Sequence, residues 1–201
     1  LTVTGPATAS GTIYLYIAGK LIEVGVAASD AATAIAGAIT AAITAADDCP
    51  VTAVNPVAPN NHKVELTARH KGTLGNDIDV RLNYLGHISG QELPTGVAIA
   101  ITPMATGATD PSLTNAIAAM GDTEYDYVIL GWNDATTTTA FTAEMQDISG
   151  RWSPLRQVYG HVFCAKDDTV GNLSTRGNAL NDQHLTLFGC ESVPNPPWEL
   201  L

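Results

Sequence analysis

Basic residues are scarce in this chain of 201 residues: nine Lys and Arg stand against 20 Asp and Glu, for a formal net charge of −11 and a pI near 4.6. Affinity for nucleic acid comes largely from Lys and Arg neutralising phosphates. The nine never cluster, so the sequence argues against direct nucleic-acid binding and against an anionic membrane surface. Cysteine is rare too. Cys49, Cys164 and Cys190 are an odd number with no C-x-x-C spacing, which favours buried thiols in a reducing compartment over a disulfide framework. No stretch approaches the roughly 18 uninterrupted apolar residues of a membrane span. The start lacks Met and a basic n-region, so no signal peptide is read there. Leu1 stands in an already alternating pattern and the chain stops just after Pro196-Pro197-Trp198. Both ends read as cut, and the expectation is the central body of something longer.

What is present suits folded structure. An apolar fraction of 45% is ordinary for a globular chain, with only 14% charged residues. Ala and Thr together make 53 residues, small side chains that let surfaces pack closely. At about 150 residues per domain the length means one large domain or two small ones, and the pattern favours two, 1–104 and 105–201. The first carries five basic and eight acidic residues, the second four and 12.

The first part reads as strands with one helix among them. Ile13, Leu15 and Ile17 alternate with Tyr14, Tyr16 and Ala18, the period of a half-buried strand. Gly19-Lys20 is expected to turn this strand into Leu21–Val26. Ser29 or Asp30 is the expected cap of a helix whose core face is Ile35, Ile39 and Ile43, ended by Asp47, Asp48 and Pro50. Strand-like runs follow at Val51–Val54, Val64–Ala68, Ile78–Tyr84 and Val97–Thr102.

After about Pro103 the period changes. Asp110-Pro111 predicts a capped helix start, with Leu113, Ile117 and Met120 as apolar stripe and Gly121 as stop. Tyr127–Leu130 is a short continuous apolar run, expected to be a strand buried on both faces. Phe141, Met145, Ile148 and Trp152 recur at helical spacing. Val158–Ala165 reads as strand, Asp168–Leu180 as capped helix and Leu185–Phe188 as strand. The alternation of helix and strand implies a parallel sheet.

Candidate chemistry is thin. His62, His70, His87, His161 and His184 are scattered, with no H-E-x-x-H and no pairing with Cys at ligand spacing, so no metal residues are assigned. Neither G-x-G-x-x-G nor G-x-x-x-x-G-K-[ST] occurs, and no cofactor residues are assigned. Gly72-Thr73-Leu74-Gly75 beside Lys71 is read as a turn rather than a nucleotide loop. Asn172-Leu173-Ser174 forms a glycosylation sequon, meaningful only in a secreted eukaryotic chain. No G-x-S-x-G elbow is present. Asp126 or Asp134, then His161, then Ser174 repeats the Asp, His, Ser chain order of subtilisin. But Ser174 falls inside a predicted helix, without the motif of a subtilisin serine. Asp122, Glu124 and Asp126 could chelate a cation, or simply be the solvated lead-in to a strand. No catalytic residue is assigned. Trp132 and Trp152 are read as core residues, and Trp198 as a plausible anchor.

Three ordered segments carry a resemblance. They are LTARHKGTLGNDIDVRLNY at Leu66–Tyr84, with Lys71, Gly72, Gly75, Asn76, Asp77 and Ile78 at the matching places, GRWSPLRQVYGHVFCA at Gly150–Ala165, and GNALNDQHLTLFGCESVPNPPWE at Gly177–Glu199. In order and spacing the chain resembles the contractile tail sheath proteins of Mu-like phages and prophages. The resemblance implies a β-sandwich-like domain at 1–104 and a subtilisin-like α/β domain at 105–201 whose label refers to its sheet and not to proteolysis. It implies a structural subunit in the virion, assembled in the bacterial host cytoplasm. Such subunits stack in hexameric rings around a tail tube between baseplate and tail terminator, and contract so that DNA can pass. The family's further N-terminal segments and strand-donating C-terminal arms are not matched within Leu1–Leu201, so these residues alone are expected to be monomeric or weakly associated. Two other readings compete: a serine hydrolase using Asp126 or Asp134, His161 and Ser174, and an acidic cation- or carbohydrate-binding module.

Overall fold

The alternating run at Ile13, Leu15 and Ile17 folds as a strand whose three isoleucine and leucine side chains are buried. A computed structural model describes residues 1–201, and its backbone divides into two units, Leu1–Gly107 and Ala108–Leu201.

In the first unit the elements are β1 (Thr2–Thr4), β2 (Gly11–Ile17), β3 (Lys20–Val26), α1 (Ala32–Ala45), β4 (Val51–Val54), β5 (Glu65–Ala68), β6 (Val80–Leu82) and β7 (Ala98–Ala100). β2 and β3 pair antiparallel with Ile17 opposite Lys20. The turn is therefore Ala18-Gly19, one residue earlier than expected. Both residues have positive φ, 53° and 75°, which gives the twist that matches a tight hairpin. β6 pairs with the other edge of β2, while β1 pairs with β7 and β4 with β5. The strands thus form three small antiparallel sheets of two, three and two strands.

Helix α1 joins them: it packs on β1, β3 and β4, one strand from each sheet. Ile35, Ala36, Ile39 and Ile43 are its buried residues. Each isoleucine contributes about 1.5–3 kcal/mol relative to an exposed side chain. The expected cap is not used. Ala31 occupies the N-cap position with no side-chain hydrogen bond, and the Asp30 carboxylate instead accepts from the Ala27 amide at 2.8 Å, closing the preceding turn.

The second unit runs α2 (Thr114–Met120), β8 (Tyr127–Leu130), α3 (Ala135–Met145), β9 (His161–Asp167), α4 (Val170–Leu180) and β10 (Leu185–Cys190). Its strands form a parallel sheet in the order β8-β9-β10. Leu130, Phe141, Met145, Val162, Cys164 and Leu185 make the buried core, with Leu113, Ile117 and Met120 of α2 packed against it.

Several sequence expectations shift here. α2 starts at Thr114 rather than behind Asp110-Pro111, with Leu113 at the N-cap. α3 stops at Met145, so Ile148 is 84% exposed and Trp152 lies beyond the helix. Asp134 caps α3 by accepting from the Thr137 amide at 2.9 Å. Thr169, not Asp168, caps α4. β9 starts at His161 rather than Val158 and extends to Asp167. The largest departure is β8: Tyr127 and Ile129 are 72% and 62% exposed, so this apolar run is buried on one face only.

Candidate functional site

The residues of the Asp, His, Ser order do not meet. His161 begins β9 opposite Tyr127, and its Nε2 lies 2.8 Å from the Thr186 hydroxyl. Asp134 follows the other end of β8, where Leu130 pairs with Cys164. The three strand steps between those registers alone amount to about 10 Å. One Asp134 oxygen is committed to the α3 cap. Asp126 touches β9 through its backbone carbonyl, which accepts from the His161 amide at 3.0 Å. Ser174 is exposed on the surface of α4. A triad needs these groups within hydrogen-bond reach, and strand direction separates Asp134 from His161.

The acidic run divides as well: Asp122 accepts from Arg156 Nε at 3.1 Å, while Glu124 is exposed. No three His, Cys, Asp or Glu side chains group so as to hold a metal ion. A cleft of about 480 Å³ beside the start of α3 is lined by Asp110, Ser112, Thr114, Asp134 and Thr137 among others, offering carboxylate and hydroxyl oxygens. Burial pushes the Cys164 thiol up to about 11, so it is held protonated and unreactive.

The three segments of the resemblance prove to be where the scaffold is tied. In the first, Gly72 takes a φ of 111° ahead of a single 3-10 turn at Thr73–Asp77. Asn76 on that turn pairs with Gly107 twice: its amide nitrogen donates to the Gly107 carbonyl at 3.1 Å, and its oxygen accepts from the Gly107 amide at 2.8 Å. An added Cβ on Gly107 would lie 2.6 Å from the Gly72 carbonyl. The Lys-Gly-x-x-Gly-Asn turn therefore clasps the end of the first unit through one side chain acting as a strand partner.

In the second segment, Arg151 is 1% exposed. Its guanidinium donates to the carbonyls of Gly121, at 2.7 Å, and Thr123, lies 5.9 Å from the Tyr125 ring and 3.9 Å from Glu144. Arg156 donates to the same Glu144 at 2.9 Å and to the Gly121 carbonyl at 3.0 Å. Glu144 is the main cause holding Arg156 charged above its ordinary range. A buried guanidinium is costly unless its protons find acceptors, and here two carbonyls accept them while a carboxylate lies near enough to offset the charge. The arginines thereby fasten the α2–β8 loop to the end of α3. A side chain at Gly160 would collide with the Tyr125 carbonyl.

The third segment adds His184, 7% exposed, whose Nε2 lies 2.8 Å from Asp147 Oδ1. Its ring stacks on Trp152 with centroids 4.3 Å apart, and Trp152 Nε1 donates to the Gly160 carbonyl at 2.9 Å. Trp152 is thus half-buried, packed against the core of the second unit rather than within it. Arg151, Arg156, Glu144 and the Asn76–Gly107 pair were not singled out by sequence. The available signal was economy: a chain with nine basic residues places two of them within a short Pro- and Ser-containing turn.

Fold and site together define a scaffold, in which the most specific sequence segments are spent on internal fastening. Residues 106–200 match the family described as phage tail sheath protein central domain. These residues belong to the phage tail sheath family, a family of structural proteins. The chain is 36% identical over 196 residues, 98% of its length, to the Mu-like prophage FluMu tail sheath protein of Haemophilus influenzae. It spans 38% of that relative's length.

Proposed function

We propose that this chain is the body of a contractile tail sheath subunit, polymerising around a tail tube and driving that tube through a host envelope so that DNA can pass. The observation that carries the reading is the similarity to a Mu-like tail sheath protein along 98% of the chain. On this reading residues 1–104 are the β-sandwich-like sheath domain and residues 105–201 the subtilisin-like, non-catalytic domain. The partners are further sheath subunits in stacked hexameric rings, the tube protein, the baseplate and the tail terminator. The place of action is the virion tail, assembled in the host cytoplasm.

The chemistry of the residues suits a mechanical part. Contraction needs bodies that stay rigid while one set of intersubunit contacts is exchanged for another. The buried Arg151, the Glu144–Arg156 pair and the Asn76 clasp supply such internal rigidity. Interfaces of the head-to-tail kind that do not close generate helical filaments, the geometry a sheath requires. An acidic surface of net charge −11 is compatible with a position outside a tube that itself encloses the genome. Electron microscopy of the gene-encoded protein, expressed with its tube protein, tests the reading. Helical tubes of two lengths and diameters are expected, and a protein that never polymerises refutes it.

A further inference from the structure

The parallel sheet of the second unit is covered by helices on one face. Leu113, Ile117 and Met120 of α2, Phe141 and Met145 of α3 and Leu180 of α4 all pack with Val128, Leu130, Val162, Cys164, Leu185 and Leu187. The opposite face carries Tyr127, Ile129, Phe163 and Phe188, with Tyr127 72%, Ile129 62% and Phe188 46% exposed. Their rings already associate: the Tyr127 and Phe163 centroids are 5.9 Å apart, as are those of Phe163 and Phe188. Polar residues on this face are the bonded pair of His161 and Thr186 and, by strand alternation, Asp167 at the far end of β9. Parallel sheets occur almost only with both faces covered, because their strands carry apolar side chains on each. This one has half of its cover.

The chain itself begins to supply the rest. After β10 the 3-10 turn Pro197–Glu199 packs on β9, and Leu200 and Leu201 line an apolar cavity of about 380 Å³ with Tyr127, Ile129, Phe163 and Phe188. Two leucines leave most of Tyr127 and Ile129 in solvent. More of the same α-β units would not complete the layer. Right-handed crossovers advancing in one direction place their helices on one face, the one already covered. The match accounts for 38% of the sheath relative, so most of that polypeptide lies outside the matched region and is long enough to hold a covering element.

We propose that the Tyr127, Ile129, Phe163 and Phe188 face seats an amphipathic helical segment of the same sheath polypeptide lying outside residues 1–201, with an apolar stripe at i, i+3 and i+4 that lies across β8 and β9 beside Leu200 and Leu201. The inference rests on the sheath reading only for the length of that polypeptide. The face is then part of the subunit's own core and not a contact between subunits.

Photo-cross-linking in the protein as its gene encodes it tests this. Benzoylphenylalanine replaces Ile129 in one variant and Tyr127 in another, two sites exposed enough to accept it, with Val57, 86% exposed in the first unit, as control. The expected result is cross-linking within one polypeptide, mapped by mass spectrometry to residues outside 1–201, from positions 127 and 129 but not from 57. Cross-links to another copy, cross-links confined to residues 192–201, or none at all overturn it. Microscopy of the same samples separates the two ideas. Tubes with cross-links between copies refute this inference and leave the sheath reading standing, whereas internal cross-links without tubes do the reverse.

Discussion

Arg151 is the clearest case in which one residue holds a local structure together. Its guanidinium is withdrawn from water and donates to the carbonyls of Gly121 and Thr123; a neutral replacement removes both charged hydrogen bonds, leaving the Gly121 carbonyl to Arg156 alone. Each such loss costs about 1–3 kcal/mol. Arg151→Met, which keeps much of the volume, is therefore expected to destabilise the second unit by roughly 2–4 kcal/mol in chemical denaturation. A change below about 0.5 kcal/mol, the usual range for surface substitutions, would show that the loop is fastened otherwise. Cys164 makes a second residue-scale prediction. Burial raises its folded value to about 11 from an ordinary 9.0, so the native state favours the neutral thiol. Its contribution is complete below pH 9.0, declines as pH rises toward 11 and is absent from Cys164→Ala. At neutral pH a thiol reagent should modify the half-exposed Cys190 well before Cys164, with equal rates counting against the buried site.

At the scale of elements, small departures from pattern had local causes. Helix α1 was legible because Ile35, Ile39 and Ile43 sit four apart, and that stripe meets a strand from each of three sheets. Its cap was not legible, because Asp30 had two uses open to it and the turn at Ala27 took its carboxylate. The helix read through Ile148 and Trp152 ended at Met145, where Gly150 and Arg151 turn back on Glu144 through the Arg151 amide. The connection at Asn76 permits a direct test. Asn76→Asp keeps the oxygen that accepts from the Gly107 amide but loses the nitrogen that donates to its carbonyl, whereas Asn76→Ala loses both. Hydrogen exchange at Gly107 should therefore accelerate strongly in Asn76→Ala and much less in Asn76→Asp. Equal protection in all three forms would mean that the side chain does not hold the segment.

For the whole molecule, charge sets how copies approach. A net charge of −11, with 12 of the 20 acidic residues in the second part of the sequence, opposes self-association at low ionic strength. The Debye length is about 30 Å at 0.01 M salt and about 3 Å at 1 M. Residues 1–201 alone are accordingly expected to scatter light as a monomer in low salt and to associate progressively as salt is added. Association that weakens with salt would place attractive charge pairs, rather than apolar contacts, at the interface. Which surface is used depends on the sheet face of Tyr127 and Phe188, because a face seated within one polypeptide is removed from the surfaces open to a neighbour.

Sequence by itself determined the class of each part: strands with one helix first, then alternating helix and strand in a parallel order. Those properties follow from the spacing of apolar residues along the chain, which needs no knowledge of distant neighbours. Sequence also determined kinship with the tail sheath proteins, through three segments whose residues turn out to fasten loops. Tertiary structure alone decided which residues meet. Tyr127–Leu130 is apolar throughout and reads as buried on both faces, yet periodicity cannot report whether a second layer of chain lies over Ile129. In the same way Asp134, His161 and Ser174 stand in a suggestive order, but strand direction puts His161 and Asp134 at opposite ends of the sheet, and chemistry depends on separation in space rather than along the chain.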